Sequence, residues 1–217
     1  GPDAWAVLNR DDARVWSLAG AAAARVYGFS RKRRPARGAF VDGGWIVVRD
    51  GGTERILPVA SIRLPGTHNL ENVLAAALAG RLVGVPGASI RRSVRDFRGL
   101  EHRLEDAGRV GGVRFVNDSK ATTVDATRKA LASFARPIVL ILGGRGKGGD
   151  FAPLRAAVRK GVRTVVLVGE AADKIEAALG GVVPGVRVST YREVVRAGFA
   201  AARRGDVVLL APACTSW

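Results

Sequence analysis

The sequence predicts an α/β protein: a parallel sheet with flanking helices over residues 100–217, preceded by a small antiparallel meander plus helices within residues 1–99. Three observations carry this reading. After Arg98-Gly99-Leu100, runs of near-continuous Val, Ile and Leu alternate with helical stretches, the texture of strands buried on both faces. Between residues 26 and 62, short β-type runs are punctuated by Asp42-Gly43-Gly44 and Asp50-Gly51-Gly52, both hairpin-type turns. From His68 to Val83, apolar residues recur at helical spacing.

In chain order, Ala4 to Asn9 reads as a short strand, and Asp11-Asp12 before an Ala-rich stretch as the cap of a helix. Val26-Tyr27, Phe40-Val41, Trp45 to Val48 and Arg55 to Leu57 then supply the meander. The intervening Ser30-Arg31-Lys32-Arg33-Arg34-Pro35 is a charge cluster that reads as a solvated loop, with an anion contact as the alternative. A helix over His68 to Val83 is followed by a second over Gly87 to Phe97. Beyond the boundary come a strand at Phe115-Val116, a helix from Val124, a strand from Ile138 to Leu142 and a helix from Phe151. A strand from Val165 to Val168, a helix from Ala171, a helix over Glu193 to Arg203 and a strand from Val207 to Leu210 complete a Rossmann-like alternation. Its roughly 120 residues are an ordinary domain size.

Composition narrows the function classes. The 217 residues, 47% hydrophobic, suffice for one large domain or for one complete domain plus part of a second. No apolar run is long enough to cross a bilayer, and the opening residues lack the features of a signal peptide, so the expectation is a cytoplasmic protein without membrane insertion. One cysteine, Cys214, and two histidines, His68 and His102, leave no internal disulfide framework and make a structural metal centre improbable. The net charge of +16 invites a nucleic-acid partner. Arginine-rich, Ala-, Gly- and Val-rich composition is also what a GC-rich genome produces, and the reading adopted is no nucleic acid.

Ligands of an open parallel sheet collect beyond the carboxyl ends of its strands. Four segments qualify: Asn117-Asp118-Ser119-Lys120-Ala121-Thr122, Gly143-Gly144-Arg145-Gly146-Lys147-Gly148-Gly149, Gly169-Glu170, and Ala211-Pro212-Ala213-Cys214-Thr215-Ser216. Asn117 to Thr122 alone could simply be a loop that opens a helix. Cys214 has no histidine partner beyond the boundary residue His102 and reads as buried and inert. The run Gly144-Arg145-Gly146-Lys147-Gly148-Gly149, with Glu170 further on, fits the dinucleotide fingerprint and supports an alternative, an NAD(P)-binding domain of an oxidoreductase. It is not a Walker A loop, because Gly146-Lys147 is followed by Gly148.

Taken in order and spacing, Gly66-Thr67-His68-Asn69-Leu70-Glu71-Asn72, Phe97 to Arg103, Asn117 to Thr122, Leu142 to Lys147 and Leu210 to Ser216 resemble the Mur ligase family, and within it the D-glutamate-adding branch. Val7 to Asp12 also looks like part of that branch's central domain. The resemblance implies that residues 1–99 are the C-terminal part of a central ATP-binding domain and residues 100–217 most of a C-terminal, D-glutamate-binding domain. It implies an ATP-dependent amide ligase of peptidoglycan synthesis that joins D-glutamate to UDP-N-acetylmuramoyl-L-alanine through an acyl phosphate, using ATP and Mg2+ and working as a monomer. It casts Lys120 and Arg103 as catalytic. Lys120, Thr122, Lys147 and Ser216 would bind D-glutamate, and Asn69, Asn72, Arg103 and Asp118 would bind ATP, with no metal ligand in this chain. His68 would be a structural or hinge residue. The family's phosphate-binding loop, its magnesium ligands and its modified lysine are expected upstream of Gly1, and the chain alone is expected to be inactive. Arg145 stands where the family often has an acidic residue, and Thr123 where it often has Asn.

Overall fold

A computed structural model describes residues 1–146 and 148–215. It divides into two compact units, Gly1–Arg98 and a second beginning at Gly99.

In the first unit, β1 (Trp5–Asn9) leads to Asp12, whose carboxylate accepts the Arg14 and Val15 N–H groups and caps α1 (Ala13–Trp16). The Ala-rich continuation, interrupted by Gly20, forms a 3-10 turn over Ser17–Ala21 and not the longer helix expected. Strands β2 (Arg25–Ser30), β3 (Gly38–Asp42), β4 (Trp45–Arg49) and β5 (Thr53–Pro58) complete a five-stranded sheet in the order β1-β2-β3-β4-β5. The antiparallel meander holds only for β3-β4-β5, joined by turns in which Gly43, Gly44 and Gly51 have positive φ. β2 instead runs parallel to both β1 and β3. The physical reason is that no hairpin turn links β2 to β3. The connection over 31–37 carries the chain back to β3's start, where Gly38, at φ 140, passes so close to the Gly28 carbonyl that no Cβ would fit. Lys32, Arg33 and Arg34 of this connection are exposed, as expected of a solvated loop, and it is tied down at its edges: Ser30 at the end of β2 is fully buried, Arg31 pairs with Glu71 at 2.7 Å and Arg34 with Asp42 at 2.5 Å. Helices α2 (Thr67–Leu82) and α3 (Gly87–Asp96) follow, and Val73, Leu74, Ala77 and Leu78 of α2 close the core over Tyr27, Ile46, Val48 and Ile56.

The second unit holds β6 (Glu105–Val110), β7 (Val113–Asn117), α4 (Val124–Leu131), β8 (Ile138–Gly143), α5 (Arg155–Gly161), β9 (Val162–Val168), α6 (Ala172–Leu179), β10 (Gly185–Arg187), α7 (Tyr191–Ala201) and β11 (Val207–Leu210). Its sheet order is β10-β9-β8-β11-β7-β6, parallel except for β6, which returns antiparallel on β7. Alternate residues point to opposite faces. Ile138, Leu140 and Leu142 pack with α4, α5 and α6, while Val139 and Ile141 pack with α7. All six residues of β8 are buried, which is why this strand reads so plainly in sequence. The antiparallel edge β6 and the short β10 have no buried residue and were not foreseen. β11, last in sequence, inserts between β7 and β8, so the loops leaving these three strands share one end of the sheet.

Candidate functional site

The carboxyl-end rim of the second unit is stitched together by main-chain hydrogen bonds between loops far apart in sequence. Where β7 ends, the Asp118 N–H donates to the Leu210 carbonyl at 2.8 Å, and the Ala213 N–H donates to the Ala121 carbonyl at 2.9 Å. The Lys120 N–H reaches back to the His102 carbonyl at 3.1 Å, which fixes the loop against the 99–104 turn. Three non-glycine residues here, His102, Leu104 and Ala213, adopt positive φ values of 64°, 46° and 55°. Such conformations cost about 1–3 kcal/mol each and persist only where surroundings enforce them, a pattern typical of functional loops.

The side chains divide into framework groups and exposed groups. Asp118 is buried, and its Oδ1 accepts the Leu104 N–H at 3.2 Å. Burial pushes its carboxyl above the ordinary carboxylate range, while the Leu104 N–H and the Arg103 charge pull the other way. Asn117 is equally committed: Nδ2 lies 2.9 Å from His102 Nδ1 and 3.3 Å from Glu105 Oε2, and Oδ1 accepts the Ser119 N–H. Lys120 and Arg103, by contrast, are exposed, and Thr122 is half-buried beside them in sequence. Thr123 caps α4 by accepting the Ala126 N–H, a structural reason for a hydroxyl at that position.

The glycine loop after β8 is built differently from a dinucleotide site. A Cβ on Gly143 would lie 1.8 Å from the Val168 carbonyl oxygen, and one on Gly144 would lie 2.5 Å from that of Thr215. These glycines let neighbouring loops pack backbone to backbone. The N–H groups of Gly143, Gly144 and Arg145, which a pyrophosphate would need, donate instead to Pro212, Val168 and Thr215. A helix does not open on this loop either, since α5 starts only at Arg155 after a 3-10 turn over Ala152–Leu154. The dinucleotide alternative therefore loses its phosphate cradle. Arg145 also pairs with Glu170 at 3.5 Å, a contact between two strand-end loops. Cys214 is buried and its thiol is pushed up by burial, in keeping with an inert role.

Thr127, not foreseen from sequence, is completely buried in α4. Its hydroxyl faces the Ala211 carbonyl at 3.2 Å and the Ala121 carbonyl at 3.4 Å, so one side chain clips the Lys120 loop to the loop after β11. A threonine at helical spacing after an N-cap gives no sequence signal for this.

In the first unit, Asn69 and Asn72 sit one turn apart near the start of α2. Asn69 is buried and its Nδ2 donates to the Pro65 carbonyl at 2.6 Å, while exposed Asn72 donates to Asn69 Oδ1 at 3.4 Å. His68 is half-buried in the same first turn. The structure thus groups Arg103, Asp118, Lys120 and Thr122 in one unit and Asn69 and Asn72 in the other. Lys147 and Ser216 lie outside the described residues. No group of three or more His, Cys, Asp or Glu able to hold a metal occurs among the described residues.

Residues 102–214 match the family model described as Mur ligase, glutamate ligase domain. A UDP-N-acetylmuramoylalanine--D-glutamate ligase of Acidobacterium capsulatum is 49% identical over 214 residues, 97% of this chain and 46% of that protein. One of Desulfitobacterium hafniense is 45% identical over 221 residues, covering 100% of this chain and 48% of its own length. The chain therefore spans about half the length of the curated relatives it matches. Among solved structures, a pseudomurein peptide ligase type C of Methanothermus fervidus has a TM-score of 0.72 at 15% identity, over 94% of this chain and 53% of that one. MurF of Acinetobacter baumannii has a TM-score of 0.70 at 15% identity, over 98% and 49% respectively, and at such identities the likeness speaks to fold alone.

Proposed function

The chain belongs to the Mur ligase family, and from that premise we propose that it carries the amino-acid-binding part of an ATP-dependent ligase that joins D-glutamate to UDP-N-acetylmuramoyl-L-alanine. On this reading residues 1–99 are the end of a central ATP-binding domain and residues 100–217 most of a glutamate-binding domain, acting in the cytoplasm as a monomer during peptidoglycan synthesis. No described helix is long and apolar enough to cross a membrane.

The observation that carries the proposal is the contrast at the rim between spent and available groups. Asn117, Asp118 and the loop N–H groups are consumed in holding the frame, while the Lys120 ammonium is presented to solvent from a loop pinned at His102, Asp118 and Ala213. A dianionic amino acid offers several acceptor sites and needs charge-assisted donors on a rigid support. Lys120 would hold one carboxylate with Thr122 beside it, and Lys147 and Ser216 would supply the remaining donors. This leaves the D-glutamate amine to attack an acyl phosphate, formed when ATP phosphorylates the acceptor carboxylate with release of ADP; the new C–N bond replaces the C–O bond to phosphate, and inorganic phosphate and the amine's proton depart. Arg103 carries a fixed charge suited to the developing phosphoryl charge, and Asn72, backed by Asn69, is available to the adenine. Mg2+ would neutralise the transferring phosphoryl oxygens from ligands other than a cluster in the described residues.

The test is calorimetric titration of the chain with D-glutamate and L-glutamate at low salt. Stereoselective binding of the D-enantiomer, weakened about tenfold or more by Lys120→Ala, is expected. Equal binding of the two enantiomers, or indifference to Lys120→Ala, refutes the assignment. The chain by itself is expected to form no ATP-dependent product.

A further inference from the structure

At the opposite end of the second unit's sheet, where β8 and β9 begin, lies an open groove of about 1030 Å³. Half-buried Phe134 and Ala157 give it an apolar floor above the buried Leu131 and Ile138, and the lining holds Arg128, Lys129, Arg136, Lys160 and Arg163 but no carboxylate. A smaller concavity of about 290 Å³ shares Phe134 and Arg136 with it and extends it towards Arg109, Arg114 and Asp206, with Arg114 paired to Asp106 at 2.8 Å. Part of this charge has a local explanation. Arg128, Lys129 and Lys160 occupy the last turns of α4 and α5, where cations offset the helix dipole, and Asp125 pairs with the first two. Arg163 is held by the buried carboxylate of Asp206 at 2.7 Å and 3.3 Å, whereas Arg136 belongs to no helix end, and exposed Arg136 and Lys160 form no ion pair among the described residues. Two helix ends and the exposed Arg136 thus converge on one apolar trough.

We infer that this groove is a docking site for an acidic, amphipathic segment of a partner protein. The trough is too open to enclose the greater part of a small ligand, as small-molecule sites do. Nucleic acid would use the cations but not the apolar floor. A lipid surface calls for a protruding apolar face, and this one is concave. An acidic amphipathic segment satisfies both features: apolar side chains seat on Phe134 and Ala157, and flanking carboxylates meet Arg136 and Lys160. The groove lies at the other end of the strands from Lys120, so occupation leaves the rim accessible, and its test is independent of the glutamate assignment.

The probe is a fluorescein-labelled synthetic peptide with leucines at i, i+4 and i+7 separated by glutamates, followed by anisotropy, with a lysine-for-glutamate version as control. Binding is expected to fall with added salt, to shift amide signals within 128–137 and 156–163, and to weaken about tenfold or more in Arg136→Glu/Lys160→Glu. Lys120→Ala should leave it unchanged. Retained thermal midpoint and circular dichroism would certify the fold of the double variant, and Lys160→Gln alone, at an exposed unpaired position, should weaken binding in the same direction. No binding of the acidic peptide, equal binding of the lysine peptide, indifference to both variants, or tighter groove-dependent binding of single-stranded DNA or phosphatidylglycerol vesicles would each overturn the inference.

Discussion

Replacing Thr127 with valine removes one hydroxyl and almost no volume, which isolates the clip between the two rim loops. The side chain is fully buried, and its hydroxyl sits 3.2 Å from the Ala211 carbonyl and 3.4 Å from that of Ala121. Ala121 keeps the Ala213 N–H as a donor, so the unmet requirement falls on the other carbonyl. A net hydrogen bond contributes about 0.5–1.5 kcal/mol, and an orphaned buried acceptor costs about 1–3 kcal/mol, so a loss of about 2 kcal/mol is expected. For a unit of roughly 120 residues, with an unfolding entropy near 2.1 cal/mol/K per residue, this corresponds to a midpoint about 8 °C lower. The assay is thermal and urea unfolding combined with amide exchange at Ala213 and Asp118, whose protection should drop. Thr127→Ser retains the hydroxyl and should keep rim protection, and D-glutamate binding, despite losing a buried methyl. A valine variant within about 0.3 kcal/mol of the parent, with unchanged exchange, would refute the clip.

Gly143→Ala should cost about 3 kcal/mol or more in urea unfolding without any ligand present, because the new Cβ meets the Val168 carbonyl at 1.8 Å in a positive-φ backbone; near-neutral stability would return the glycine loop to a ligand-binding explanation. Burial raises the folded-state pKa of Asp118, so the folded protein binds its proton more tightly than the unfolded chain. Its contribution to stability is therefore fullest below the ordinary carboxylate value of 3.8 and declines as pH rises through the raised value. Relative to the parent, Asp118→Asn should gain stability on moving from below pH 3.8 to neutral, as read from urea midpoints, and the opposite slope would contradict a desolvated carboxyl. The Cys214 thiol, buried and pushed up, should react with Ellman's reagent slowly in the native chain and rapidly in denaturant; fast native labelling would contradict its burial.

Much of this protein was legible in its sequence because the relevant forces act locally. β8, β11 and the stretch 165–168 of β9 are continuous apolar runs, and any sheet that buries such runs on both faces must be covered by the intervening helices. From that pattern followed the α/β class and the positions of the loops that build the rim, including Asp118, Lys120 and Thr122. The turns at Gly43-Gly44 and Gly51-Gly52 were equally readable, since few residues but glycine tolerate their backbone angles. Other features depend on which distant segments meet. The parallel run of β2 beside β3 rests on Gly38 passing the Gly28 carbonyl, and the exposed strands β6 and β10 carry no apolar alternation to betray them. The true reason for Gly143 and Gly144 is close backbone packing against the Val168 and Thr215 carbonyls, which a linear motif cannot distinguish from a phosphate cradle. Thr127 and Ala211 stand 84 positions apart, and the basic groove gathers residues from two helices, a loop and two strand beginnings. Burial, hydrogen-bond satisfaction and charge convergence are properties of neighbours in space, so only the tertiary structure decided them.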